Sequence, residues 1–150
     1  MIFSTLAFAI ALGATAAPMP TPQSLAVITV KAPKAALRVQ IARTEPQRER
    51  GLMAVRHLSL HTGMLFVFDD DGPVAFWMKD TLIPLDMVFL APDGTVRKVF
   101  ARVPVLAPQV PDEEIPLEQA SAKFVIELPS GEAAADGLRQ GARVTGLPTR

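Results

Sequence analysis

From Gly63 onward, short apolar runs alternate with polar turn-formers, and that rhythm restricts the chain to a mainly β fold. "GMLFVF" and "VAFWM" flank "DDDGP", "LDMVFLA" and "TVRKVFARV" flank Pro92-Asp93-Gly94, and "KFVIEL" stops at Pro129, Ser130 and Gly131. Runs of this length, rich in Val, Phe and Ile and bounded by Asp, Gly and Pro, are strands joined by turns. Both flanked pairs are expected to be hairpins. The second is the better specified, because Asp-Gly supplies residues that tolerate positive φ. Upstream, Leu37, Val39 and Ile41 alternate with Arg38 and Gln40, which predicts a half-buried strand with one dry and one wet face. "ARVTGL" is expected to close the chain as a final strand.

Two stretches break the period of two. "TEPQRERGLM" offers Thr44 as N-cap, Pro46 in the first turn, Gln47 at the capping-box position and Gly51 as a stop. That predicts a helix of about two turns, capping the core rather than forming it. "EAAADGLRQG" carries helix-forming alanines and ends at Gly141. Strands dominate, so the expected architecture is a compact antiparallel β-sandwich or partly closed barrel with two short helices.

The 150 residues suit one domain. "MIFSTLAFAIALGATAA" has an apolar run followed by small residues, the pattern of a signal peptide, although it lacks a basic n-region. Residues 1–17 are therefore expected to be a signal peptide, 18–34 a proline-flanked linker or edge segment around "LAVITV", and 35–150 the β domain. The apolar run is too short to span a bilayer, so no stable membrane insertion is expected after cleavage at Ala16 or Ala17. The expected location is outside the cytoplasm, in a periplasm. Net charge is zero with no Lys/Arg block, which argues against nucleic-acid partners and polybasic membrane docking. The absence of cysteine excludes disulfides, thiolate nucleophiles and Cys-ligated metals.

Candidate chemistry is sparse. His57 and His61 share one side of the chain, with Leu58 and Leu60 expected inward, but no third histidine or cysteine exists to complete a metal site. They are read as solvated. Asp69-Asp70-Asp71-Gly72 lacks the spacing of a calcium loop and is read as a solvated turn. No nucleophile elbow and no glycine-rich phosphate loop occurs, so no catalytic residue and no cofactor is assigned. What remains is "FWMKDTLIPLD", where a charged triplet interrupts two apolar runs. Trp77, Lys79, Asp80, Thr81 and Asp86 bring an aromatic, a cation, two carboxylates and a hydroxyl together, a set suited to a sugar or carboxylate ligand. The plainer reading is a turn between buried strands, with Asp86 needing a partner inside.

"ERGLM", "GMLFVF", "FWMKDTLIPLDMVFL", "KFVIELPSG" and "GLRQG", in that order, resemble the bacterial family DUF192, the domain of unknown function 192. The resemblance spans nearly all of the chain after the leader. It implies a compact, mainly β, often exported domain without an established activity. It also implies polar positions at Lys79, Thr81 and Asp86, with Glu127 in the later strand. Three residues depart from the family pattern: Asp80 stands where asparagine is usual, Val55 where arginine is, and Ala142 where aspartate is. The expectation is a non-catalytic binding module for a small polar ligand or cell-envelope partner, using Trp77, Lys79, Asp80, Thr81, Asp86 and Glu127. The alternatives are a glycan or envelope-polymer hydrolase with Asp86 and Glu127 as a carboxylate pair, roughly 5–9.5 Å apart, and a purely structural or scaffolding domain.

Overall fold

A computed structural model describes residues 18–149. The signal-peptide expectation falls on residues 1–17 and lies outside the described residues. No described helix is long and apolar enough to cross a membrane.

Six strands form one mixed sheet: β1 (Val27–Lys31), β2 (Ala36–Ala42), β3 (Thr62–Phe76), β4 (Leu85–Leu90), β5 (Val96–Val103) and β6 (Glu118–Pro129). Their order across the sheet is β1-β2-β3-β6-β4-β5. All pairs are antiparallel except β2 and β3, which run parallel because the chain crosses over through α1 (Glu45–Arg50) before entering β3. A second helix, α2 (Glu132–Ala135), follows β6. The mainly β content and the two short helices are as expected. The sandwich or partly closed barrel is not confirmed, since the described strands make a single sheet that does not close.

The reason lies in the central strands. Every residue of β4 is buried, as befits a strand covered on both sides rather than one facing water on one side. Along β6, Phe124, Ile126 and Leu128 join Leu65, Val67, Val88 and Leu90 on what we call face one. Val125 joins Met64, Phe66, Met87 and Phe89 on face two. Face one is closed by Ala133, Leu138 and Val144 from the C-terminal segment. Face two is closed by Leu52, Phe76 and Met78 from the segments after α1 and at the end of β3. Helices and loops thus do the work of a second sheet.

Local chemistry explains which smaller expectations hold. Thr44 and Gln47 form the predicted reciprocal capping box, with Gln47 N donating to Thr44 Oγ1 at 3.4 Å and Thr44 N to Gln47 Oε1 at 3.1 Å. Such a cap stabilises a short helix by about 1 kcal/mol. No residue of α1 is buried, so it does cap the core. The β4–β5 hairpin turns through Asp93 and Gly94, where Gly94 has φ 85° and a Cβ would meet the Val144 carbonyl oxygen at 2.1 Å. "LAVITV" supplies the edge strand β1.

The "DDDGP" hairpin does not form. β3 runs through it as one strand, with an irregularity between Val67 and Gly72, and both halves pair with β6. β6 is twelve residues long, so one partner serves both apolar runs and the chain need not turn back. Asp71 faces outward and binds Arg97 at 2.6 and 2.8 Å. "ARVTGL" is not a strand either: it meets the sheet through isolated bridges at Arg143 and Thr145, with Val96 N donating to Ala142 O at 2.8 Å and Val144 packed on face one.

Candidate functional site

Glu127 is the anomaly at the centre of face two. In register it lies between Met64 of β3 and Met87 of β4. It is 4% exposed. Burial alone pushes its carboxyl pKa up to about 8, with no hydrogen bond or neighbouring charge acting on it. The acid is therefore neutral at pH 7, able to donate as well as accept. It borders a cavity of about 30 Å³, room for one water-sized group. β3 enters directly against the Glu127 carbonyl: a Cβ at Gly63 would sit 2.0 Å from that oxygen, so only glycine fits there.

The charged triplet forms the other wall. Trp77, Lys79 and Thr81 line the same cavity, together with the end of α1 and the residues after it, Arg48 to Met53. Two readings of "WMKDT" therefore hold together. It is a turn, since Thr81 N donates to Met78 O at 3.1 Å and Thr81 Oγ1 to Lys79 O at 3.2 Å. It is also a rim, with Trp77 36% exposed. Lys79 Nζ lies 5.2 Å from the Trp77 ring centroid and pairs with Asp112, a hydrogen bond that holds its pKa above the usual lysine value. Asp80 adopts φ 52°, and its carbonyl accepts from Ala54 N at 2.8 Å. Aspartate and asparagine both tolerate this left-handed backbone, so the departure from asparagine keeps the turn. Asp80 does not line the cavity; it borders two wider clefts outside it, one beside Lys79, Trp77 and Pro20 and one beside Leu82, Leu106 and Asp112.

Asp86 does not join this set. It pairs with Leu128, which turns its side chain to face one, while Glu127 faces the other side. Completely buried, its carboxylate accepts from Arg102 N at 2.7 Å and from Gly131 N and Ala133 N, both at 2.9 Å. The partner that its burial demanded is backbone, and neither Lys79 nor Glu127 shares its face. Val55 and Ala142, the other departures from the family pattern, pack on face two and face one respectively.

One constellation escaped the sequence reading. Leu60 is 71% exposed rather than inward, and His61 adopts φ 58°. His61 N donates to both Glu132 oxygens, at 2.8 and 3.0 Å, and His61 Nδ1 lies 3.1 Å from Asp136 Oδ1 and 3.6 Å from Glu132 Oε1. Both carboxylates are buried. Desolvation first, and then neighbouring Asp136 and Asp86, raise the Glu132 pKa against the lowering hydrogen bond from His61. The signal available in sequence was the spacing of four between Glu132 and Asp136 in an alanine-rich helix, which stacks both on one face. His57 is exposed, as expected.

Comparison with known proteins gives a family and no activity. The model of DUF192, described as "Uncharacterized ACR", matches residues 26–146. The crystal structure of "a putative transcription regulator" from Sinorhizobium meliloti 1021 superposes with TM-score 0.73 at 32% identity, over 83% of this chain and 97% of that one. A protein of unknown function from Novosphingobium aromaticivorans DSM 12444 does so with TM-score 0.73 at 26% identity, over 88% and 94%. No curated protein matches the chain. With the matched residues spanning the whole sheet, the chain belongs to the DUF192 family.

Proposed function

We propose that the protein is a non-catalytic binding module for a small hydroxylated ligand of the sugar class, held between Glu127 and the Trp77-Lys79-Thr81 rim. The observation that carries this reading is Glu127: a buried acid with no protein partner, facing a recess sized for one polar group. A hydroxyl both donates and accepts, as a neutral carboxyl does, so the two satisfy each other. Trp77 offers a flat face at the rim. Lys79 is already engaged by Asp112, so its own charge makes little demand for an anion.

Hydrolysis by an Asp86–Glu127 pair has no support, because the two side chains project from opposite faces of the sheet. The scaffolding alternative loses its main premise, since Lys79 pairs with Asp112 rather than with Asp86. Regulation of transcription, the description of the S. meliloti protein, finds no support in a chain of zero net charge.

The test is calorimetry and thermal melting of the purified protein against monosaccharides, disaccharides and small carboxylic acids. A sugar should raise the melting temperature of the natural protein, and Glu127→Leu should weaken its binding at least about tenfold, the value of one buried charged or polar hydrogen bond. Lys79→Met should weaken it less. If the acids bind and the sugars do not, or if Glu127→Leu binds equally well, the assignment fails.

Export is proposed on the sequence of residues 1–17 alone. Expression with a periplasmic fractionation should yield a chain beginning at Ala17 or Pro18 by mass spectrometry. An intact Met1 chain confined to the cytoplasm would refute it.

A further inference from the structure

We infer that His61, Glu132 and Asp136 form a binding site for a divalent transition-metal ion of the Zn²⁺ class. This site shares no residue with the Glu127 recess and does not depend on the reading given to it. Among the described residues, these three are the one group of His, Asp and Glu side chains whose donor atoms converge, all lying within 4.8 Å of one another. Zinc held tetrahedrally by nitrogen and oxygen at roughly 2.0–2.2 Å sets its donors about 3.4 Å apart. The observed separations from His61 Nδ1, 3.1 Å to Asp136 and 3.6 Å to Glu132, bracket that figure.

Asp136 adds an independent observation. It is 2% exposed, yet its carboxylate accepts nothing from the backbone and pairs with no Lys or Arg; only the His61 ring reaches it. Asp86, equally buried and close by, shows the contrast, with three backbone N–H groups on its carboxylate. Glu132 is likewise 5% exposed without a Lys or Arg partner. Two buried carboxylates therefore face a single imidazole, and one positive charge on that ring leaves them under-compensated. A dication between the three supplies the missing charge. His61 N–H already orients the Glu132 carboxylate, as an outer partner of a metal ligand does. The His61 side chain is half exposed, so a hydrated ion has a way in and a fourth position stays open to water.

Ligands on the loop before β3 and on α2 would tie these two segments together across face one. The stoichiometry should be one ion per chain, since no second group of this kind exists among the described residues.

The test titrates Zn²⁺ into untagged, metal-stripped full-length protein by calorimetry and follows Co²⁺ substitution by visible absorption. One saturable site is expected, with Zn²⁺ raising the melting temperature. His61→Ala and Asp136→Asn should each weaken binding about tenfold or more, the scale of losing a ligand or its support. His57→Ala should leave it unchanged. The inference is overturned if no saturable site appears below about 1 mM, or if His61→Ala binds as tightly as the natural protein. Because the His61 ring is half exposed, its removal leaves the core intact, so this variant decides the matter even if Asp136→Asn fails to fold.

Discussion

Asp86→Ala is expected to destabilise the protein by about 4 kcal/mol, a large share of the stability of a domain this size. The carboxylate is fully buried and takes N–H groups from the end of β5 and the start of α2. Alanine leaves all three donors without an acceptor, and each such group costs about 1–3 kcal/mol. Asp86→Asn keeps the shape and one acceptor oxygen but turns an N–H₂ toward a backbone N–H. It should cost about half as much. Urea denaturation at constant m-value measures both. Hydrogen exchange should show loss of protection at the Gly131 and Ala133 amides well before the β3–β6 ladder is affected. A cost below about 1 kcal/mol for alanine would show that water replaces the carboxylate and that Asp86 does not organise this end of face one.

The same residue shows how far sequence reaches into this molecule. An aspartate inside "LDMVFL" announces a buried carboxylate in need of donors, but those donors come from residues 102, 131 and 133. Nothing local points to them. The faces of Asp86 and Glu127 depend on the β4–β6 register, Met87 against Glu127, and a shift of one residue would have placed both on the same side. The features that were legible are local ones: the Thr44–Gln47 box, the Asp93–Gly94 turn and the alternation in β2. "DDDGP" misleads because an irregular strand and a hairpin loop use the same residues, and the length of a distant partner decides between them. The Trp77-Lys79-Thr81 rim was legible as a charged break in an apolar run. Its meeting with Glu127 was implied only by family resemblance, and the His61 cluster joins residues 71 and 75 positions apart in the chain.

Glu127→Gln is expected to make the protein more stable at pH 8 by on the order of 4 kcal/mol, about 10 °C in melting temperature, while changing little at pH 4.5. The direction follows from the proton. An unfolded chain releases it near pH 4.5, whereas the folded protein holds it until about pH 8, because burial disfavours the charged form. Between those values the unfolded state gains from ionisation and the folded state does not, so stability falls as pH rises and levels off above about 8. Each unit of difference is worth about 1.4 kcal/mol. Glutamine fills the same space without titrating. The measurement is the difference in unfolding free energy between natural protein and variant from pH 4.5 to 9, which cancels every other group. A flat difference would mean that Glu127 is solvated or paired, and a difference of opposite sign that it is ionised in the fold. Either result removes the neutral donor on which the proposed recess depends. On the expected result, the fold tolerates a stability loss near neutral pH that a methionine, matching its in-register neighbours Met64 and Met87, would not impose. That cost at the floor of a cavity fits the binding role proposed for Glu127 better than a role in packing.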